Sequence, residues 1–144
     1  MQDKKTVELL GILSEIKTDE ELESFFEEHP STESSISLHD YLNEIITIKN
    51  LSKSHVIADS GLNRIYAYQI LQGSKQPTRD KVIALCMGIK MDLNQIQRAL
   101  TIAGLGILYP KNKRDAIIMF AVNKGIGIMD TNELLYGMGV VVLE

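Results

Sequence analysis

The chain has 144 residues, 44% of them hydrophobic and 24% charged, enough to bury a core and too apolar for global disorder. No run approaches the roughly 20 apolar residues of a membrane helix, and no signal-type apolar stretch opens the chain. The single cysteine, Cys86, permits no disulfide within the chain and fits a reducing, cytoplasmic setting.

The net charge of −4 argues against a nucleic-acid partner until it is divided along the chain. Residues 1–35 carry 3 Lys against 10 Asp/Glu, a net of −7. Residues 36–104 carry 8 Lys/Arg against 5 acids, or +3, and residues 105–144 carry 4 against 4. The basic excess is therefore confined to the middle of the chain. It permits contact with phosphates there without requiring it.

In chain order, residues 3–17 are expected as a helix with Leu9, Ile12, Leu13 and Ile16 on one stripe. Thr18 opens a capping box with Glu21, starting a helix expected to bury Leu22, Phe25 and Phe26 and to end before Pro30. Residues 30–36, rich in Pro, Ser and Thr, form the predicted linker. Ser37 can cap a helix with Leu38, Tyr41, Leu42 and Ile45 inward, closed by Asn50 in the left-handed conformation. A short helix from Ser52 to Asp59 follows, then Gly61, then a helix from Asn63 to Gln72 stopped by Gly73.

Pro77-Thr78 opens a fourth helix of this group, carrying Val82, Leu85, Cys86 and Ile89 on one stripe. Asp92 caps a fifth, with Leu93, Ile96, Leu100 and Ala103 inside. Beyond Gly104, helices are expected from Asn112 to Lys124 and from Asp130 to Tyr136, the second capped by Asp130 and Glu133. The β-prone run from Val140 to Leu143 is expected to pack as an extended segment. No fixed-period repeat is apparent. The reading is an all-α chain divided into an acidic helical extension (1–35), a basic helical unit (36–104) and a C-terminal helical extension (105–144).

The informative stretch is 51–73. A short helix, a turn at Gly61 and a second helix form a helix-turn-helix pattern, and glycine adopts positive φ at little cost. Small Ala58 and Ala67 are expected to let the two helices approach. At 100° per residue, Arg64, Ile65, Tyr68, Gln69 and Gln72 share one arc of the second helix, while Tyr66, Ala67, Ile70 and Leu71 share the other. Arginine can bond guanine, glutamine can bond adenine, and Ile65 can touch a thymine methyl. Lys53, Asn63, Lys75 and Arg79 are positioned for phosphates.

Residues 36–104 resemble the lambda-repressor-like family (Xre, Cro and CI type) of five-helix DNA-binding domains. The resemblance rests on Leu51-Ser-x-x-x-Val56-x-x-x-x-Gly61, on Ala67-x-x-Ile70 and Gly73, and on Pro77-Thr78, Val82, Leu85 and Met91-Asp92-Leu93. It covers about half the chain and implies a second helix seated in the major groove. Arg64, Ile65 and Gln69 then fall on base-reading positions, and Lys53, Asn63, Gln72 and Lys75 on backbone-contacting or supporting ones. The chain departs from the family at Lys53, where glutamine is common, and at the bulky Tyr66 and Tyr68.

The remaining features have plainer readings. His29, His39 and His55 lack metal-ligand spacing, and Cys86 lies on an apolar stripe, so neither a metal nor a cofactor is expected. Ser54 and His55 are adjacent on a helix and diverge, so no catalytic dyad follows and no enzyme is expected. Gly125-Ile-Gly lacks the preceding strand of a dinucleotide loop and reads as a turn. The apolar 105–144 stretch either packs on the core or forms a homodimer interface. The expected function is a sequence-specific double-stranded DNA-binding regulator; the alternative is a protein-interaction or adaptor module on the same fold.

Overall fold

The computed structural model describes residues 6–28 and 36–144. Among the described residues the chain is all-α, with nine helices and no strand. It divides into two compact units, Met1–Ser35 and Ile36–Glu144.

The first unit contains α1 (Thr6–Ser14) and α2 (Asp19–Glu28). The expected start of α1 at residue 3 lies outside the described residues, and its end comes early, in i→i−3 bonds from Glu15 and Ile16. At α2 the Thr18 hydroxyl accepts the Glu21 N–H at 3.1 Å and donates to the Glu21 carboxylate at 3.1 Å. That is half of the expected capping box, since the carboxylate meets the hydroxyl rather than the Thr18 N–H. Phe25 is buried, but Leu22 and Phe26 are exposed, so a single side of this ten-residue helix is apolar enough to bury only one of the three. Residues 30–35 of the predicted linker lie outside the described residues.

The second unit contains α3 (Leu38–Ile48), α4 (Lys53–Ser60), α5 (Arg64–Gln72), α6 (Arg79–Ile89), α7 (Leu93–Ile102), α8 (Lys113–Lys124) and α9 (Ile128–Gly137). Local chemistry starts most of them. The side chains of Ser37, Ser52, Asn63, Asp92 and Asn112 each accept an N–H of the first helical turn, and Asp92 and Gln95 complete a reciprocal capping box. Asn50 turns the chain after α3 at φ 55°. One core runs through the unit, from Leu42, Val56 and Ile70 through Leu85, Ile96 and Leu100 to Leu108, Ile118, Leu135 and Leu143. Each such side chain contributes about 1.5–3 kcal/mol by leaving water. The 105–144 stretch thus shares the core of 36–104.

Close approach occurs at a place the sequence reading did not name. Ala58 is exposed, whereas α4 lies across α6 at Gly88, where a β-carbon would stand 2.5 Å from the Val56 carbonyl oxygen. Only a glycine tolerates that backbone separation. α4 is therefore seated on α6, while α5 packs on α3 and α4.

The expectation that the chain has no fixed-period repeat is overturned. The α6–α7 hairpin recurs as α8–α9, 35 residues on (79 to 114, 97 to 132, 108 to 143). Arg79 Nε and one Nη donate to the Gly106 and Ile107 carbonyls, at 2.7 and 2.9 Å. Arg114 does the same to Val141 and Val142, at 2.8 and 3.0 Å. The Gln97 amide grips the Leu108 main chain through two 2.8 Å bonds, and the Asn132 amide grips that of Leu143, at 3.3 and 2.8 Å. α6 closes at Lys90 (φ 62°) and α8 at Gly125 (φ 72°).

The ion pairs between the hairpins are exchanged. Arg79 meets Asp115 through two bonds of 3.0 and 2.9 Å, and Arg114 meets Asp80 at 3.0 and 2.7 Å. Reciprocal contacts of this kind are those of an isologous interface, here within one chain. One expectation changes as a result. α9 starts at Ile128 behind Gly127, the counterpart of Asp92, rather than at an Asp130–Glu133 cap. The Val140 to Leu143 run lies outside the helices and packs as expected, with Leu143 buried and its backbone held by side chains from α8 and α9.

Candidate nucleic-acid interface

The pair α4–α5 is built from short-range bonds outward. Ser52 caps α4, and Val56, Ile57 and Ser60 turn inward. The Ser60 hydroxyl donates to the Ile57 carbonyl at 2.6 Å and accepts the Leu62 N–H at 3.3 Å. Gly61 takes φ 71° between them, the left-handed geometry that a tight turn demands and a β-carbon disfavours. The chain then re-enters helix at Arg64, with the Asn63 side-chain oxygen accepting the Tyr66 N–H at 3.1 Å.

α5 has the two faces expected of it. Ala67, Ile70 and Leu71 are buried, and Gly73 ends the helix at φ 81°. Arg64, Ile65 and Gln72 are exposed, with Ile65 at 71%. Tyr68 and Gln69 are half-buried. The Arg64 guanidinium lies over the Tyr68 ring, 5.8 Å from its centroid, a cation–π arrangement that restrains a long side chain. The opposite tyrosine, Tyr66, sits at the rim beneath the Lys81 ammonium, at 5.6 Å. Asn43 of α3, which the sequence reading did not single out, ties down the far end of α5 by donating to the Leu71 carbonyl at 2.8 Å.

The predicted cations separate into two groups. Lys53, at the first turn of α4, and Lys75, just past α5, are exposed, and among the described residues neither is in an ion pair. Arg79 is different. Its guanidinium makes the four bonds of the hairpin clamp, two to Asp115 and two to carbonyls. The expectation that Arg79 holds a phosphate is therefore replaced by a structural role, because four of its N–H donations are already taken within the chain.

An open groove of about 380 Å³ runs beside the turn, lined by Ser54, Ile57, Ala58, Gly61, Leu62 and Arg64. It contains neither a carboxylate nor an imidazole, and so no general acid or base for chemistry at neutral pH. Among the described residues no group of His, Cys, Asp and Glu is placed to hold a metal ion. Burial pushes the Cys86 thiol up to about 12, which keeps it neutral and unreactive. No helix among the described residues is long and apolar enough to cross a membrane.

Lys53 thus lies on α4 and Arg64, Ile65, Tyr68, Gln69 and Gln72 on α5, with Asn63 and Lys75 flanking α5, while Arg79 is taken up by the hairpin clamp. No protein-family model matches the chain, and neither a curated protein nor a solved structure is significantly similar to it.

Proposed function

We propose that residues 36–104 are a lambda-repressor-like helix-turn-helix unit and that the protein is a sequence-specific double-stranded DNA-binding transcriptional regulator, not an enzyme. One observation carries the reading. α5 is buried along Ala67, Ile70 and Leu71, yet its opposite side offers Arg64, Ile65, Gln69 and Gln72 with no element of Ile36–Glu144 covering Arg64, Ile65 or Gln72. A helix of about 10–12 Å diameter fits the major groove, which is about 12 Å wide.

In this reading Arg64 donates its fork to a guanine, with Tyr68 holding the guanidinium in a narrow range of orientations. Gln69 bonds an adenine edge, and Ile65 packs on a thymine methyl. Lys53 and Lys75 meet phosphates on either side, and the partly positive N-terminus of α5, capped by Asn63, supports a third. A second reading, a protein-interaction module on the same fold, is favoured by the exposure of Ile65, an apolar anchor that a protein partner can also use.

The two readings separate in a selection of preferred sites from a random duplex pool. The DNA reading predicts a consensus, and Arg64→Ala weakens binding to it by about 1–3 kcal/mol while relaxing the preference at one base pair. Failure to enrich any sequence favours the protein-interaction reading. An enriched site with undiminished preference in Arg64→Ala removes Arg64 from base reading.

A further inference from the structure

The turn between α4 and α5 is held loosely by its own bonds. The Gly61 N–H reaches the Ala58 carbonyl at 3.3 Å, and the Leu62 N–H reaches the Ser60 hydroxyl at 3.3 Å. Both are longer than the usual amide bond of about 2.9–3.0 Å. One side of the turn is open, where Gly61, Leu62 and Arg64 line the groove. Another side meets a residue from far along the chain. The Ile128 Cγ2 methyl stands 3.4 Å from the point at which Gly61 would carry a β-carbon.

Ile128 is the first residue of α9, and Leu93, its counterpart in the first hairpin, is the first residue of α7. Both are partly buried against the common core, so each hairpin anchors its second helix inward at the same place. α9 also packs on α6, the helix on which α4 is seated. α6 therefore carries α4 and α9 together, and the approach of Ile128 to Gly61 links the end of the one to the start of the other. We propose that Ile128 is a positioning residue of the helix-turn-helix. Its methyl limits how the turn at Gly61 can move, and so fixes the angle at which α5 presents Arg64 and Ile65. The effect on bases rests on the DNA reading of α5; the hold on the turn does not. Such a residue acts on sequence preference rather than on attraction to phosphates, because base edges are read by hydrogen bonds of fixed geometry.

Two conservative variants test this. Ile128→Val keeps the methyl on the β-carbon, whereas Ile128→Leu keeps the volume and moves the branch one carbon outward. Amide hydrogen exchange of the full chain without DNA reads the turn. Ile128→Leu is expected to speed exchange about tenfold at Leu62 and at Tyr66 and Ala67, whose N–H groups bond to Asn63, and to leave Leu85 of α6 unchanged. Ile128→Val is expected to match the parent. In a selection from random duplexes, Ile128→Leu is expected to lose about tenfold of the discrimination at the base pair that Arg64 reads, with the salt slope of binding unchanged. Faster exchange shared by Leu85 overturns the proposal, as does equal loosening in both variants or in neither. A looser turn with undiminished discrimination overturns it too. If the parent enriches no site, the DNA reading fails and the positioning role falls with it, while the exchange result still shows whether Ile128 holds the turn.

Discussion

A β-carbon at Gly88 would lie 2.5 Å from the Val56 carbonyl oxygen and 3.0 Å from both the Ser60 nitrogen and its β-carbon. Two of those three atoms are backbone, so relief requires α4 itself to move. Gly88→Ala is accordingly expected to lower stability by about 1–3 kcal/mol, the usual result of overfilling a packed contact, although alanine favours helix over glycine. A urea melt checks the sign; a variant as stable as the parent contradicts the contact. The sequence offers no local hint of this, because Gly88 reads as one more residue of a helix and the partner carbonyl is 32 positions away (88 − 56). Arg79 was misassigned for the same reason. A basic residue beside a predicted turn looks available, and its carboxylate partner at residue 115 belongs to another helix.

At the scale of elements, the clamp between the hairpins predicts a pH dependence. Burial alone would raise the Asp115 carboxyl, but the Arg79 hydrogen bonds, with the Tyr109 N–H, outweigh it and hold the carboxyl below the usual carboxylate range. A folded-state value below the unfolded one, about 3.9, stabilises the fold at all pH above that value. The contribution fades as pH falls through the lower, folded value. Asp115→Asn, which strands the Arg79 guanidinium, is expected to cost about 3 kcal/mol at pH 7, and the gap to the parent should narrow on acidification below pH ~4. A gap that is absent at pH 7, or constant down to pH 3, contradicts the clamp. Helix starts were legible where a cap declares itself, as at Ser37, Ser52, Asn63, Asp92 and Asn112. α9 was misplaced because Asp130-x-x-Glu133 imitates a capping box, while the actual N-cap, Gly127, bonds nothing through a side chain. The repeat went unseen because its copies share few identities beyond the Arg-Asp pairs; their likeness lies in hydrogen bonds to main chain, which composition does not display.

For the whole molecule, the sequence divided 36–104 from 105–144 by charge, whereas Ile36–Glu144 is one compact unit. Apolar content alone does not tell whether Leu108, Ile118, Leu135 and Leu143 pack on their own chain or on another. They pack on their own, and Phe120, Met129 and Tyr136 are left outside. The faces of α5 were readable because helical periodicity separates Arg64 and Gln69 from Ala67 and Ile70 without tertiary information. The Arg64–Tyr68 stack followed from the same i, i+4 geometry, though it was not anticipated. The unit carries 12 Lys/Arg against 9 Asp/Glu, a net of +3, so any affinity for DNA must come from a few well-placed cations and must be sensitive to salt. The direct test is a fluorescence-anisotropy titration of the full chain against a labelled duplex across a series of salt concentrations. The account predicts that log affinity falls linearly with log salt, and that Lys53→Ala flattens the slope by about 1, as the loss of one phosphate contact should. No binding at the lowest salt, or a slope untouched by that change, would contradict it.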